Sequence, residues 1–273
     1  MFRGIYAGTS AMLVQEKMLD VVGNNLANVD TSGFRGRVAV NKSFPEVLMD
    51  RVERYMIVDE ALNEELKERK FFPYIRGRSS IGSISLTNVM SETTMTLERG
   101  PIQWTDNPLD VVVDGDGFLA VEDGNGNAFY TRSGNFQRND AGMLVTHEDV
   151  YIMGDGGRIQ IGEATQVSIG EAGQVYADNE LVGTLRVVNF DTPTYLHQVS
   201  NSLLAETPQS GPPQPALNAR IISGGLERSN VQVVTEMVRM IEANRAFEVA
   251  GRTVTIQDEL TGRMFQSLGR PTQ

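Results

Sequence analysis

Five residues in the stretch LDVVVDGDGFLAVEDGNGNAF have the types and the spacing to hold a cation: Asp114, Asp116, Asp123, Asn125 and Asn127. Carboxylates and amides at alternate positions supply the hard oxygen ligands that calcium takes. The run lacks the glutamate that closes an EF-hand loop, and it lacks the repeat of a calcium-binding β-roll. Hairpin turns use the same residues, because Asp, Asn and Gly tolerate positive φ. The run is therefore read as turns, and no metal site is assigned. A secreted calcium- or glycan-binding β protein is the alternative that would need these loops as a site. His147 and His197 are the only histidines, and without cysteine they do not make a zinc site. The absence of cysteine also excludes disulfides and cysteine nucleophiles. No GxSxG nucleophile elbow and no P-loop occur. The many carboxylates form no recognisable catalytic pair. No catalytic residue, cofactor or small-molecule substrate is assigned, and the chain is not expected to be an enzyme.

A second cluster points to a different role. In GNNLANVDTSGF, residues 23–34, Asn24, Asn25 and Asn28 interrupt an apolar-periodic segment just before a Thr-Ser-Gly turn. Asparagine is a poor helix former, because its amide competes for backbone hydrogen bonds. Asn28 with Thr31, Ser32 and Gly33 supplies the turn out of a helix. Asn24 and Asn25 make sense in a crowded bundle, where an amide donates and accepts across helices and fixes register at some cost in stability. On that reading Asn25→Leu leaves the monomer folded and lets it assemble out of register.

The elements that position these residues follow from where charge and helix breakers fall. The net charge is −11; residues 1–37 carry four basic and three acidic groups and residues 221–273 six of each, so the acidic excess lies between. An acidic middle argues against nucleic acid, where a basic patch is expected. Of ten prolines, nine lie between Pro45 and Pro215, and fourteen of 27 glycines fall between Gly100 and Gly183. Both ends are thus nearly free of helix breakers while the middle is rich in turn signals. No run reaches the ~18 apolar residues of a membrane span, so no membrane insertion is expected. The start MFRGIYAGTSAM has no positive region followed by an apolar stretch and a small-residue cleavage site, so no cleaved secretory signal is expected.

At the N-terminal end Ile5, Met12, Leu19 and Leu26 recur every seven residues, with Met18 and Val22 beside them. At the C-terminal end the repeat runs through Leu226, Val233, Met240, Phe247 and Val254, widened by Val234, Met237, Val238 and Ile241. Sustained heptads suit a coiled-coil-like seam. Glu236, Arg239, Glu242, Arg245, Glu248 and Arg252 alternate in sign at three- and four-residue spacing, as ion pairs on an outer helix face would. The predicted assembly interface is therefore these apolar positions together with Asn24, Asn25 and Asn28, pairing the two helices with each other or with neighbouring chains.

Asp-Gly and Asn-Gly turns between LDVVV, FLAVE and AFYTR predict hairpins, and further strands are expected at 143–146, 151–153, 159–161, 167–169, 174–177 and 184–190. PQSGPPQP, residues 208–215, reads as a stiff linker. Leu48, Val52, Tyr55, Leu62 and Leu66 share one helical face and predict a helix over 46–70, with 76–99 extended. The expected fold is α+β. Discontinuous terminal helices (1–35 and 221–273) pair as a coiled-coil-like domain, joined through an extension (36–100) to a mainly antiparallel β domain (101–207) and a linker (208–220).

ANVDTSGFR, preceded by NNL, resembles the N-terminal signature of bacterial flagellar rod and hook proteins. NPLDVVVDGDGFLAVEDGNGNAFYTRSGNFQRNDAGMLV resembles the β motif that these proteins share, and LERSNVQVVTEMVRMIEANRAFEVAGRTVTIQDEL resembles their C-terminal motif. MFRGIYAGTSAM and VYIMGDGGRIQIG look most like the proximal-rod type, with the distal-rod type second. The resemblance implies a structural subunit of the flagellar basal-body rod that assembles with other copies and other rod proteins into a hollow, torque-transmitting shaft in the periplasm. It also implies passage through the flagellar type III export apparatus without loss of a signal peptide.

Overall fold

The computed structural model describes residues 2–55, 74–216 and 218–268. Two helices, α1 (Phe2–Ala27) and α2 (Val233–Leu268), flank a mainly antiparallel β region, so the class is α+β. Neither helix contains proline, and Ala, Met, Glu and Arg, all good helix formers, recur along α2. The chain divides into two compact units. The smaller takes residues 1–14, 41–90 and 247–273; the larger takes 15–40 and 91–246.

The larger unit is organised about the strand Phe118–Glu122, which pairs with Ala128–Thr131, Tyr151–Gly154 and Val187–Asn189. Side chains alternate across a strand, and here both faces are covered. Leu119 and Val121 enter a core with Val113, Phe136, Leu144 and Ile152. Phe118 and Ala120 enter a second with Tyr130, Val188, Phe190 and Leu204. Tyr130 meets Phe190 edge-on at 4.8 Å between centroids, a favoured aromatic geometry. Beyond this sheet, Val167–Ile169, Gln174–Ala177 and Glu180–Thr184 form a three-stranded sheet. Asp178 and Asn179 make its second turn with φ of 49° and 70°, as a two-residue type I′ hairpin requires.

Three expectations are corrected. The predicted helix over 46–70 is strand where it is described: residues 46–55 lie in the strand Arg37–Tyr55, which pairs with Tyr74–Met95, while 56–70 fall outside the described residues. The facing strand, with Ile75, Ile81, Ile84, Thr87 and Val89, offers the backbone hydrogen bonds that a weak helical periodicity does not outweigh.

The C-terminal helix does not begin at Leu226. Leu226 sits in the strand Gly225–Glu227, paired with Ile102–Trp104, and Arg220–Ser223 pairs with Val111–Asp114. Residues 220–227 thus pair with strands of the β region, and the helix starts at Val233. Ser229 Oγ accepts the Val231 N–H, diverting a backbone donor from helix formation just before it, while Asn230 ties the segment to the Gly36 N–H and the Glu98 carbonyl.

The proline-rich stretch is not a free spacer. Ser210 is fully buried and hydrogen-bonds Thr207 in a tight turn, and Gln214–Pro215 pairs with Val188–Asn189 at a sheet edge, where proline is tolerated.

Candidate assembly interface

The end of α1 is built by its asparagines. The Asn28 N–H is shared between the carbonyls of Asn24 and Asn25 at 3.2 Å each, and the Asn28 side-chain amide donates back to the Asn24 carbonyl at 2.9 Å. Thr31 Oγ1 then donates to Asn28 Oδ1. Gly33, at φ +70°, turns the chain so closely past Arg132 and Ser133 that an added Cβ would lie 2.3 Å from the Ser133 nitrogen. Its N–H donates to the Glu227 carbonyl at 2.7 Å.

Asn25 is 2 % exposed and completes its hydrogen bonds inside its own chain. Its Oδ1 accepts the Arg37 N–H and its Nδ2 donates to the Arg37 carbonyl, both at 2.9 Å, with Glu236 Oε2 at 3.4 Å from the same nitrogen. The amide thus mimics a strand partner for residue 37. The amide expected to bond across helices does so only to Glu236 at 3.4 Å, and its shorter bonds go to the Arg37 backbone, whose buried N–H and C=O a leucine would leave unmatched. Asn28 is likewise buried, and Asn24 is exposed.

Behind the turn lies a buried ionic cluster. Glu227 Oε2 accepts Arg132 Nε at 2.8 Å and its Oε1 accepts Arg35 Nη2 at 3.3 Å, with side chains 4 %, 2 % and 8 % exposed respectively. Arg132 also donates to the carbonyls of Val113, Gly115 and Gly117, saturating the turn Asp114–Gly117 from within. One carboxylate therefore ties together the turn after α1, the β hairpin and the strand before α2. Burial lowers the pKa of Arg35, with Arg132 and Arg99 adding to that effect against Glu227.

In the smaller unit α1 and α2 run antiparallel through small residues. An added Cβ on Gly4 would meet Gln257, one on Gly8 would lie 2.6 Å from Val254 Cγ2 and 3.5 Å from the Ala250 carbonyl, and one on Gly251 would meet Met12. The inner positions of α2 follow a four-three alternation: Glu236, Met240, Ala243, Phe247, Ala250, Val254 and Gln257 are all buried or half-buried. Glu236, expected on the outer face, is inside, bonded to Arg239 at 2.7 Å. Its carboxylate lies in the first turn, where the helix dipole favours negative charge.

The other side of α2 exposes large apolar side chains among the charged Glu242, Arg245, Glu248 and Arg252. Val234 is 75 % exposed, Ile241 53 %, Val249 63 % and Ile256 56 %, with Met237, Val238 and Leu260 also exposed. Large exposed apolar side chains at this density, rimmed and interrupted by charge, mark a candidate interaction face.

The predicted interface residues therefore divide. Ile5, Met12, Leu19, Leu26, Met240, Phe247 and Val254 are half-buried and Val22 is buried, whereas Val233, Met237 and Ile241 face outward. Leu226 leaves the set as a strand residue. Sequence reasoning missed Gly8, Ala243 and Ala250, because a search for large apolar residues passes over the small ones that let helices approach. It also missed Arg35, Arg132 and Glu227, since single charges far apart in sequence carry no spacing signal.

The expected turn residues are engaged locally. Arg99 Nη1 donates to Asp114 at 3.0 Å and its Nη2 to Asp116 at 3.5 Å. Asp123 Oδ1 accepts the N–H groups of Asn125 and Asn127 at 2.8 Å. Hydrogen bonds from Asn127, foremost, and Asn125 lower the Asp123 pKa. Among the described residues no group of three His, Asp or Glu is placed to hold a metal.

Three family descriptions match this chain in order. Residues 5–35 match the flagella basal body rod protein family, 112–177 the flagellar hook protein FlgE/F/G D1 domain, and 222–267 the flagellar basal body rod FlgEFG protein C-terminal region. The flagellar basal-body rod protein FlgG of Bacillus subtilis is 31 % identical, covering 95 % of this chain and 97 % of its own length. FlgF of Caulobacter vibrioides is 30 % identical over 99 % of both, and FlgG of Buchnera aphidicola from Acyrthosiphon pisum is 27 % identical over 97 % and 100 %. With helices at both ends and a shared β motif between them, the chain belongs to the flagellar basal-body rod protein family and is a structural subunit of that rod.

Proposed function

We propose that α1 and α2 pair as a coiled-coil-like domain and that the outer face of α2 packs against neighbouring rod subunits. The observation that carries this is the two-sided apolar character of α2. One side holds Met240, Ala243, Phe247, Ala250 and Val254, and the other exposes Val234, Val238, Ile241, Val249 and Ile256. A single amphipathic helix needs one apolar face; a second is explained by burial on assembly, driven by the hydrophobic effect. Torque then passes between subunits as shear spread over many helix contacts. The terminal domain on this reading comprises residues 1–35 and the helix from Val233, while 220–227 go with the β body.

The proposal extends to route and place. The chain leaves the cytoplasm through the flagellar type III export apparatus with its start uncleaved, and it assembles in the periplasm with other rod proteins and copies of itself. The proximal position is the first reading, on MFRGIYAGTSAM and VYIMGDGGRIQIG, and the distal position the second.

The native chain lacks cysteine, so single cysteines report contacts cleanly. Val238→Cys combined with Ile256→Cys should give disulfide-linked oligomers in oxidised, purified basal bodies, and Met240→Cys should not. Normal rods that yield no intermolecular cross-link from the outer positions would defeat the proposal. Mass spectrometry of the assembled subunit reads the intact N-terminus, and the labelled chain's position in maps of the basal body reads proximal against distal.

A further inference from the structure

Among the described residues two methionines stand well out in solvent, Met237 at 49 % and Met264 at 40 % exposed. Met95 is 6 % exposed, and Met12, Met18, Met143, Met153 and Met240 are half-buried. The chain has no cysteine, so thioethers are its only oxidisable sulfur.

Met237 lies in the first turns of α2, where Val233, Val234, Val238 and Ile241 are also exposed. Val233, Val234 and Ile241 are three or four residues from Met237 and so share its side of the helix. Arg239, the one charged side chain exposed between 233 and 241, is held by Glu236 at 2.7 Å. The denser charge of the outer face begins at Glu242. Every other apolar member of this group is aliphatic and inert to mild oxidants. The thioether is therefore the position at which the polarity of the group can change without a change of sequence.

We propose that Met237 is an oxidation site for hydroperoxides and that its sulfoxide withdraws the free chain from assembly. The sulfur takes one oxygen atom from hydrogen peroxide and is oxidised by two electrons, while the peroxide is reduced to water. A polar, chiral sulfoxide then replaces an apolar thioether. Its oxygen accepts hydrogen bonds from water, and burying it in an aliphatic contact leaves that acceptor unmatched. The reaction selects the unassembled chain, because packing over this side of α2 closes the sulfur off. Methionine sulfoxide reductases return the thioether, so the change is reversible. The inference rests on the reading that this side of α2 is buried in the rod.

The test uses the full-length chain carrying Met264→Leu, a volume-conserving exchange that leaves Met237 as the strongly exposed thioether among the described residues. In dilute hydrogen peroxide, peptide mass spectrometry should find sulfoxide at Met237 forming roughly eightfold faster than at Met95, in proportion to exposure. Adding Met237→Gln, a polar side chain of similar length, should hold Tm within about 2 °C. It should nonetheless cut the rods counted in electron micrographs roughly tenfold or more, as one methionine's burial is forfeited at each contact. Met237→Leu should build rods normally. Sulfoxide at Met237 forming no faster than at Met95, or rods lost from Met237→Leu as well, would each overturn the proposal. Ile241→Glu with Ile256→Glu separates it from the reading beneath it. Rods lost there but normal in Met237→Gln refute the oxidation switch alone, and rods normal in both refute the buried face itself.

Discussion

Replacing Glu227 by glutamine tests how much of the larger unit depends on one carboxylate. The substitution keeps shape and volume, so no cavity term enters. It removes the charge that accepts Arg132 Nε at 2.8 Å and Arg35 Nη2 at 3.3 Å, and it turns one acceptor into an NH₂ donor facing other donors. The Gly100 N–H, which also reaches Glu227 Oε1 at 3.3 Å, is at risk of the same mismatch. Breaking a buried pair from one side costs about 3–5 kcal/mol, because the partner charges stay buried without compensation. At about 2–4 °C per kcal/mol for a unit of this size, Tm should fall by roughly 6–20 °C. Thermal unfolding followed by circular dichroism at neutral pH measures this directly. Asp30→Asn is the control: it cuts an ion pair to Arg228 at 2.7 Å with Asp30 85 % exposed, and such pairs are worth about 0–1 kcal/mol. A Glu227→Gln chain within about 1 kcal/mol of the parent, or a control that loses as much, would refute the reasoning.

Four further outcomes follow from the same geometry. Gly33→Ala forces a positive φ on alanine and drives its Cβ into the Arg132–Ser133 backbone, so urea unfolding should show a loss of about 3 kcal/mol or more. Asn25→Leu should destabilise the isolated chain by about 2–4 kcal/mol through the unmatched Arg37 backbone, an effect visible before any assembly. Ile241→Glu with Ile256→Glu should leave monomer stability within about 0.5 kcal/mol, since both sites are exposed, while abolishing rod formation in electron micrographs. Because the Asp123 pKa is lowered in the folded chain, its hold on Asn125 and Asn127 is present above the unfolded carboxylate range. It is lost as pH falls through the folded value, which an NMR titration of the loop amides would follow.

What the sequence revealed depended on whether the cause was local. Met240, Phe247 and Val254 are large, apolar and seven apart, so one half of the inner seam was legible. The other half includes Ala250 facing Gly8, residues whose contribution is their lack of bulk. Asp178-Asn179 and the turns around Gly115 carry their conformational requirement in their own chemistry. Leu226 misled because a seven-residue spacing continued into a segment that pairs with the remote strand Ile102–Trp104, and Ser229 takes the Val231 N–H before the helix starts. Residues 46–55 misled because strand formation there rests on a partner segment some thirty residues away. Of the three asparagines Asn25 and Asn28 are buried and Asn24 is exposed, and the crowd that meets Asn25 is residue 37 and Glu236 of the same chain. The Arg35–Glu227–Arg132 cluster spans 192 positions, and no window along the chain contains it.

A carboxylate shared between two guanidiniums also constrains how such a chain can drift. A change at 227 alone strands two buried cations, whereas a change at 35 alone leaves Glu227 paired with Arg132, and only a joint change at all three positions removes every charge together. The costs of the separate steps are then non-additive, and the route from one workable combination to another crosses a valley of poorly folding intermediates. A library randomised at these three codons and selected for folded chain should return correlated triplets rather than independent tolerances. Position 132 should change least, because its side chain also caps three carbonyls that no apolar residue can satisfy.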